Sequence, residues 1–229
     1  MIRLNNILVV AAHPDDELLG VGGTIRRLVN EGAIANAVIL AEGITSRANR
    51  REEADMNQLV NLRMDAKKAS EIVGYSSIEL YEFPDNRMDS IDLLDVIKVV
   101  SRCVEKYKPD IIFTHHHGDL NIDHRKTCEA VLTACRPSEN SIVKWIYAFE
   151  TPSSTEWNYE YAEPFTPNFF VNITDTITSK IDGMACYESE SAQMPHPRSE
   201  EALRALAGYR GASSGFAYAE AFSLLRGGL

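Results

Sequence analysis

The apolar run Ile7-Leu8-Val9-Val10-Ala11 gives way within two residues to His13-Pro14-Asp15-Asp16-Glu17, and this junction constrains the chain more than any other stretch. A short aliphatic run bounded by polar residues predicts a buried core strand. The polar cluster then stands at the strand's carboxyl end, where open α/β sheets keep their ligand crevices. One imidazole and three carboxylates at His13, Asp15, Asp16 and Glu17 form the nitrogen-and-oxygen donor set that zinc accepts. Pro14 biases His13 toward extended backbone and stiffens the turn that presents them. Acidic residues also complement the start of a helix, so each of the three carboxylates has a bland reading as a helix-start residue; that reading leaves His13 unexplained.

Beyond the cluster, strand and helix patterns alternate. Residues 35–41, 78–83, 111–114, 142–149 and 169–173 read as strands. A helical pattern follows the cluster and ends near Gly32, and a long helix opens in the charged stretch 50–55 and stops at Gly74. Ser90 caps a helix through Tyr107, and further helices cover 125–135, 177–187 and 200–209. Expected buried faces are Met56, Leu59, Val60 and Met64; Ile91, Leu94, Ile97 and Val100; and Val131 with Leu132. Gly20-Val21-Gly22-Gly23 lies inside a helix rather than in a strand-to-helix turn, so it predicts close helix–sheet packing, not a dinucleotide loop. Residues 150–167 read as an active-site or interface loop, and the end as a glycine-rich turn plus the packed stretch 218–222. The alternation predicts a mainly parallel, doubly wound α/β sheet. With no repeat or linker, residues 1–229 are expected to form one domain.

The formal charge of −10 argues against nucleic-acid or anionic-membrane partners, which require basic patches. No apolar run reaches membrane-spanning length, and the N-terminus runs into the first strand without a signal peptide. Cys103, Cys128, Cys135 and Cys186 show no C-x-x-C spacing and read as buried thiols of a reducing cytoplasm.

The fourth strand runs into His115-His116-His117-Gly118-Asp119-Leu120-Asn121-Ile122-Asp123-His124. First and fourth strands can be neighbours at a switch point, which brings both clusters to one crevice. A catalytic zinc keeps three protein ligands and an open position for water; His13, Asp16 and His124 are the ligand choices. Asp15, diverging from Asp16, faces the water as general base and later general acid. Asp123 suits the task of orienting a neighbouring imidazole. Of His115, His116 and His117 at most two reach the crevice, while Asp119 reads as a turn former and His196 as a turn or rim residue.

Ala12-His13-Pro14-Asp15-Asp16-Glu17 resembles the signature of the PIG-L/LmbE-like zinc-dependent de-N-acetylases. The resemblance extends through Arg63, Asp65, Ala69 and Gly74, through Asn121-Ile122-Asp123-His124, and through Tyr187-Glu188-Ser189-Glu190, Arg210-Gly211 and Ala219-Glu220-Ala221-Phe222. It implies a Rossmann-like three-layer sandwich that hydrolyses the N-acetyl group of a glucosamine unit. By position it implies zinc on His13, Asp16 and His124, with Asp15 as base and Arg63 on substrate hydroxyls or phosphate. Arg47, Asp85, His117 and Arg210 are further candidate substrate contacts. Asn121 departs from relatives in the bacillithiol and mycothiol pathways, which place a histidine there to hold the oxyanion; Asn121 itself or one of His115 to His117 takes that role. A homo-oligomer is expected from the resemblance. Alternatives are the same metal site acting on another N-acyl sugar or a non-sugar amide, and a non-catalytic nucleotide-binding module. The latter lacks a glycine-rich loop directly after a strand.

Overall fold

Along the first strand, β1 (Asn6–Ala11), side chains alternate between two cores: Ile7 and Val9 enter one, Leu8 and Val10 the other. This is the two-residue period of a strand covered on both faces. The computed structural model describes residues 6–139 and 141–228. Six further strands are β2 (Ile34–Ala41), β3 (Ser77–Phe83), β4 (Ile111–His115), β5 (Trp145–Phe149), β6 (Phe169–Asn172) and β7 (Ala219–Gly227). They form one sheet of order β3-β2-β1-β4-β5-β7-β6. The pairs within β3-β2-β1-β4-β5 are parallel, and β7 runs antiparallel to both β5 and β6.

The helices are α1 (Asp16–Leu19), α2 (Gly22–Asn30), α3 (Met56–Val73), α4 (Leu93–Tyr107), α5 (Ile122–Ala134), α6 (Ile177–Ala185) and α7 (Glu200–Ala212). Residues of α2, α3, α6 and α7 close the core containing Ile7 and Val9, whereas α4 and α5 close the core containing Leu8 and Val10. The result is a three-layer α/β sandwich whose order reverses between β1 and β4. Their register (Ile7↔Ile111, Leu8↔Ile112, Val9↔Phe113) sends both strands' carboxyl ends to the same edge. Among the described residues no helix is long and apolar enough to cross a membrane. The four cysteines are free, with Cys103, Cys128 and Cys135 buried and Cys186 partly so.

Several boundaries shift for local reasons. The charged stretch 50–55 is not the first turn of α3: it forms a short 3-10 turn, and Asp55 caps the helix by accepting the Asn57 N–H at 2.9 Å. Gly74 ends α3 in the left-handed region (φ 93°), as a C-terminal glycine should. The buried face of α3 is Leu59, Leu62, Ala66, Ala69 and Val73, leaving Met56, Val60 and Met64 exposed. Leu94 and Leu132 are likewise exposed, and α4 is capped at Asp92 rather than Ser90. Gly20 is required by close packing, since a Cβ there would enter the Phe149 ring. The end of the chain, expected as turn and packed stretch, is the long strand β7. It was illegible as a strand because its first four residues are all buried, which removes the alternation that marks a half-covered strand.

Candidate metal centre and active site

The segments leaving β1 and β4 converge on one carboxylate oxygen. Asp16 Oδ2 lies 3.4 Å from His13 Nδ1, 3.3 Å from His124 Nε2 and 3.4 Å from His115 Nε2, and accepts the His13 N–H at 2.8 Å. One ligand-type atom from each of His13, Asp16 and His124 lies within 4.8 Å of the other two. Bonds of about 2.0–2.2 Å to a single zinc-like ion suit the 3.3–3.4 Å between Asp16 Oδ2 and the two imidazole nitrogens. Asp16 Oδ1 is buried with no hydrogen-bond partner among the described residues. A buried acceptor left in that state costs free energy, and a cation removes the deficit. Donor chemistry and orphan oxygen together fit a metal ion at this trio. His13, Asp85 and Asp123 also converge within 4.8 Å. Asp123, however, is already engaged by backbone donors: Oδ2 accepts the Asn86 N–H at 2.7 Å and Oδ1 the Met88 N–H at 2.9 Å.

Each of the two outer imidazoles is backed by a carboxylate, the arrangement that fixes ring orientation in metal sites. Asp123 Oδ2 lies 3.0 Å from His13 Nε2, and Asp119 Oδ1 lies 3.1 Å from His124 Nδ1. Asp119 was expected only to form a turn. It is instead buried, accepting from the Thr155 hydroxyl at 2.6 Å, the Ser154 hydroxyl and the Asn121 N–H at 2.8 Å. Burial favours a neutral His124, yet Asp16 and Asp119 overcome it and hold the imidazole up to about 9 in the metal-free protein. Burial would equally raise the Asp16 carboxyl, but the His124 charge foremost keeps it well below the usual range. His115, buried beside His124, is pushed down to about 4. Its Nε2 accepts the Ala12 N–H at 2.9 Å and its Nδ1 faces Thr151 Oγ1 at 3.2 Å, so it ties the two strand ends together.

Asp15 starts α1 with φ 105°, a backbone conformation unusual for a non-glycine residue. It caps nothing with its side chain. Glu17 holds its amide, Oε2 accepting the Asp15 N–H at 3.0 Å, and the Tyr187 hydroxyl donates to Glu17 Oε1 at 2.5 Å. Burial lifts Glu17 to about 7. Arg198 Nη1 donates to Asp15 Oδ2 at 2.5 Å while Arg198 Nε donates to Ser153 Oγ at 2.8 Å. Burial also raises the Asp15 carboxyl, with the Arg198 charge opposing it. Above this floor opens a polar cleft whose walls include Arg47, Asp85, Asn86, Asn121, Glu190 and Arg198.

Of the expected site residues, His13, Asp15, Asp16, Asp123 and His124 come together, and Arg47, Asp85 and Asn121 line the cleft. Three expected substrate contacts lie outside it. Arg63 donates to Glu82 at 2.7 Å, Arg210 clasps Glu150 at 2.6–2.8 Å, and His117 faces Glu163 at 3.0 Å. Arg63 and Arg210 are each paired with a carboxylate, and all three side chains turn toward those partners. None of His115, His116 and His117 lines the cleft. Asn121 does, and it also caps α5 by accepting the Asp123 N–H at 2.8 Å. Arg198 was passed over in the sequence; its place between Pro197 and the helix-capping Ser199, in a proline-stiffened loop, was the available signal.

The protein is similar along most of its length to proteins with named activities. It is 28% identical over 234 residues to the diacetylchitobiose deacetylase of Thermococcus kodakarensis, covering 98% of this chain and 84% of that one. The structure of the N,N'-diacetylchitobiose deacetylase from Pyrococcus horikoshii superposes with a TM-score of 0.78 at 20% identity, over 97% of this chain and 84% of that chain. GalB, a 4-carboxy-2-hydroxymuconate hydratase from Pseudomonas putida, shares the fold with a TM-score of 0.77 at 21% identity, over 99% and 98%. The sequence profile of the PIG-L family, described as GlcNAc-PI de-N-acetylase, matches residues 8–135, a span that contains the metal trio, Asp15 and Asp123. The chain therefore belongs to the PIG-L family of de-N-acetylases.

Proposed function

We propose that this protein is a metal-dependent hydrolase that removes the acetyl group from an N-acetylglucosamine-type sugar. The observation that carries the reading is the convergence of His13, Asp16 and His124, with the orphan Asp16 Oδ1, beside a buried Asp15 at the floor of a polar cleft. The named deacetylase relatives support it.

In this reading His13, Asp16 and His124 hold the ion. When bound, a divalent ion such as zinc supplies Lewis acidity and lowers the pKa of its water to about 7. Asp123 and Asp119 keep the two imidazoles turned inward. Asp15, with Oδ2 engaged by Arg198, takes the proton of the attacking water at Oδ1 and returns it to the departing amine nitrogen. Asn121, on the cleft wall, gives one Nδ2 proton to Asn86 Oδ1 at 2.8 Å and keeps the other to donate to the developing oxyanion. Asp85 and Arg47 meet the sugar's hydroxyls.

The test is free-amine release from a panel of N-acetylglucosamine derivatives, before and after chelation and zinc restoration. Zinc-restorable release is expected from the wild type, and Asp15→Ala should lose turnover while still binding metal. Undiminished activity of that variant rejects Asp15 as the base. No release from any member by metal-loaded wild type shifts the site to a non-sugar amide.

A further inference from the structure

The walls of the cleft carry two arginines, yet neither is free. Arg47 Nη2 donates to both carboxylate oxygens of Glu190, at 2.8 and 2.7 Å. Arg198 is shared between Asp15 at 2.5 Å and Glu190 at 3.2 Å. Above the imidazoles of His13 and His124, the charged lining is Arg47 and Arg198 against Asp15, Asp85 and Glu190, with every guanidinium already matched to a carboxylate. Exposure puts Arg47 at the mouth and Glu190 beneath it: Asp16 and His124 are 1% and 2% exposed, Glu190 10%, His13 12%, Arg198 19% and Arg47 53%. A group attached to the reacting sugar and extending outward therefore meets the Arg47–Glu190 pair.

An anionic group there has to take Arg47 from Glu190. Glu190 is only 10% exposed, so the displaced carboxylate would remain largely out of water beside a second negative charge. That carboxylate would keep only the Arg198 charge, at 3.2 Å, and a second negative charge beside a poorly hydrated carboxylate is unfavourable. The remaining lining groups, Ser46, Asn86, Asn121 and Ser153, are neutral hydrogen-bonders matched to hydroxyls. The overall charge of −10 adds long-range repulsion of anions.

We propose that the cleft selects an uncharged N-acetylated amino-sugar glycoside over an anionic one, and that Glu190 is the specificity-determining residue because it occupies the arginines that would otherwise receive an anion. The proposal rests on the deacetylase reading above and refines its substrate class.

The experiment compares two glycosides of N-acetylglucosamine that differ only in charge, one with a glycolic acid aglycone and the other its methyl ester. Turnover is measured as amine release, and binding of the corresponding free-amine products is measured by calorimetry on the same protein. The expected wild-type preference for the ester is about tenfold or more in kcat/KM and in product affinity, the scale on which one mismatched charge discriminates ligands. Glu190→Gln should shrink that preference severalfold by improving use of the acid. Arg47→Met, which leaves Glu190 only the longer Arg198 contact at 3.2 Å, should widen it; this variant keeps the test decisive if Glu190→Gln does not fold. Equal use of both glycosides, a preference for the acid, or variants that leave the ratio unmoved overturns the proposal. Absence of turnover with the product preference intact removes the deacetylase reading and leaves the charge selection standing. Absence of product binding removes both.

Discussion

Asp15 is held on two sides by groups remote in sequence from each other. Its amide is fixed by Glu17, and one carboxylate oxygen is fixed by Arg198, 183 residues further along the chain. Because its φ is 105°, the side chain's direction depends on these braces rather than on backbone preference. Truncating Arg198 to Ala is expected to lower kcat by roughly 10²-fold, the cost of misplacing a reacting group by about an ångström. Lys, a point charge without the planar fork, recovers only part of it because it cannot serve Ser153 and Asp15 together. Steady-state kinetics of the two variants checks this, and an unchanged kcat in Arg198→Ala defeats it. The residues of the candidate metal trio stand out in the sequence because two of them share a short string with a proline and the third closes a second string rich in His and Asp. Asp119 and Arg198 were not, since turn former and ligand orienter look alike in sequence, and a guanidinium's partner is set by the fold.

At the level of elements, the unexpected strand β7 anchors the start of α2. Val21 begins that helix without a side-chain cap of its own. Instead Glu220 of β7 accepts the Gly23 N–H at 3.0 Å and the Thr24 N–H at 2.7 Å, a carboxylate at a helix N-terminus supplied from 196 residues away. Lys180 of α6 donates to the same carboxylate at 2.6 Å and to Leu19 O at 2.7 Å, and both charges are buried. Glu220→Ala therefore strands an ammonium and two amides. The expected loss is about 3–5 kcal/mol, measured by urea unfolding; a loss below about 1 kcal/mol would mean that water replaces the carboxylate. The pattern also explains a misreading of α3. The apolar residues most prominent in the sequence, Met56, Val60 and Met64, lie on the outside, while Ala66 and Ala69 face inward with Leu62 and Val73. Small residues let α3 approach its neighbours closely, and hydrophobic size alone does not reveal which side does so.

Across the whole molecule, the metal trio joins the loop after β1 to the first turn of α5, so filling it ties together segments about a hundred residues apart in sequence. The mainly parallel sheet and the adjacency of β1 and β4 followed from strand–helix alternation, whereas the antiparallel β7-β6 edge carried no such signal. A ligand bound only by the folded state at about 1,000 times its Kd stabilises by about 4 kcal/mol. For a chain of this size that corresponds to roughly 8–16 °C in Tm. Zinc loading is expected to raise Tm by that amount over the chelated protein, His124→Ala to abolish the rise, and His117→Ala, outside the cleft, to keep it. The rise also depends on pH in a defined direction. His124 in the metal-free protein holds its proton up to about 9, and an ion requires the neutral imidazole. The neutral fraction falls about tenfold per pH unit below that value, so moving from pH 8 to pH 6 weakens metal stabilisation through this proton. The difference in Tm between loaded and chelated protein should therefore shrink as pH falls, because proton and metal compete for one nitrogen. A difference that stays constant across this range would place the ion on some other set of donors.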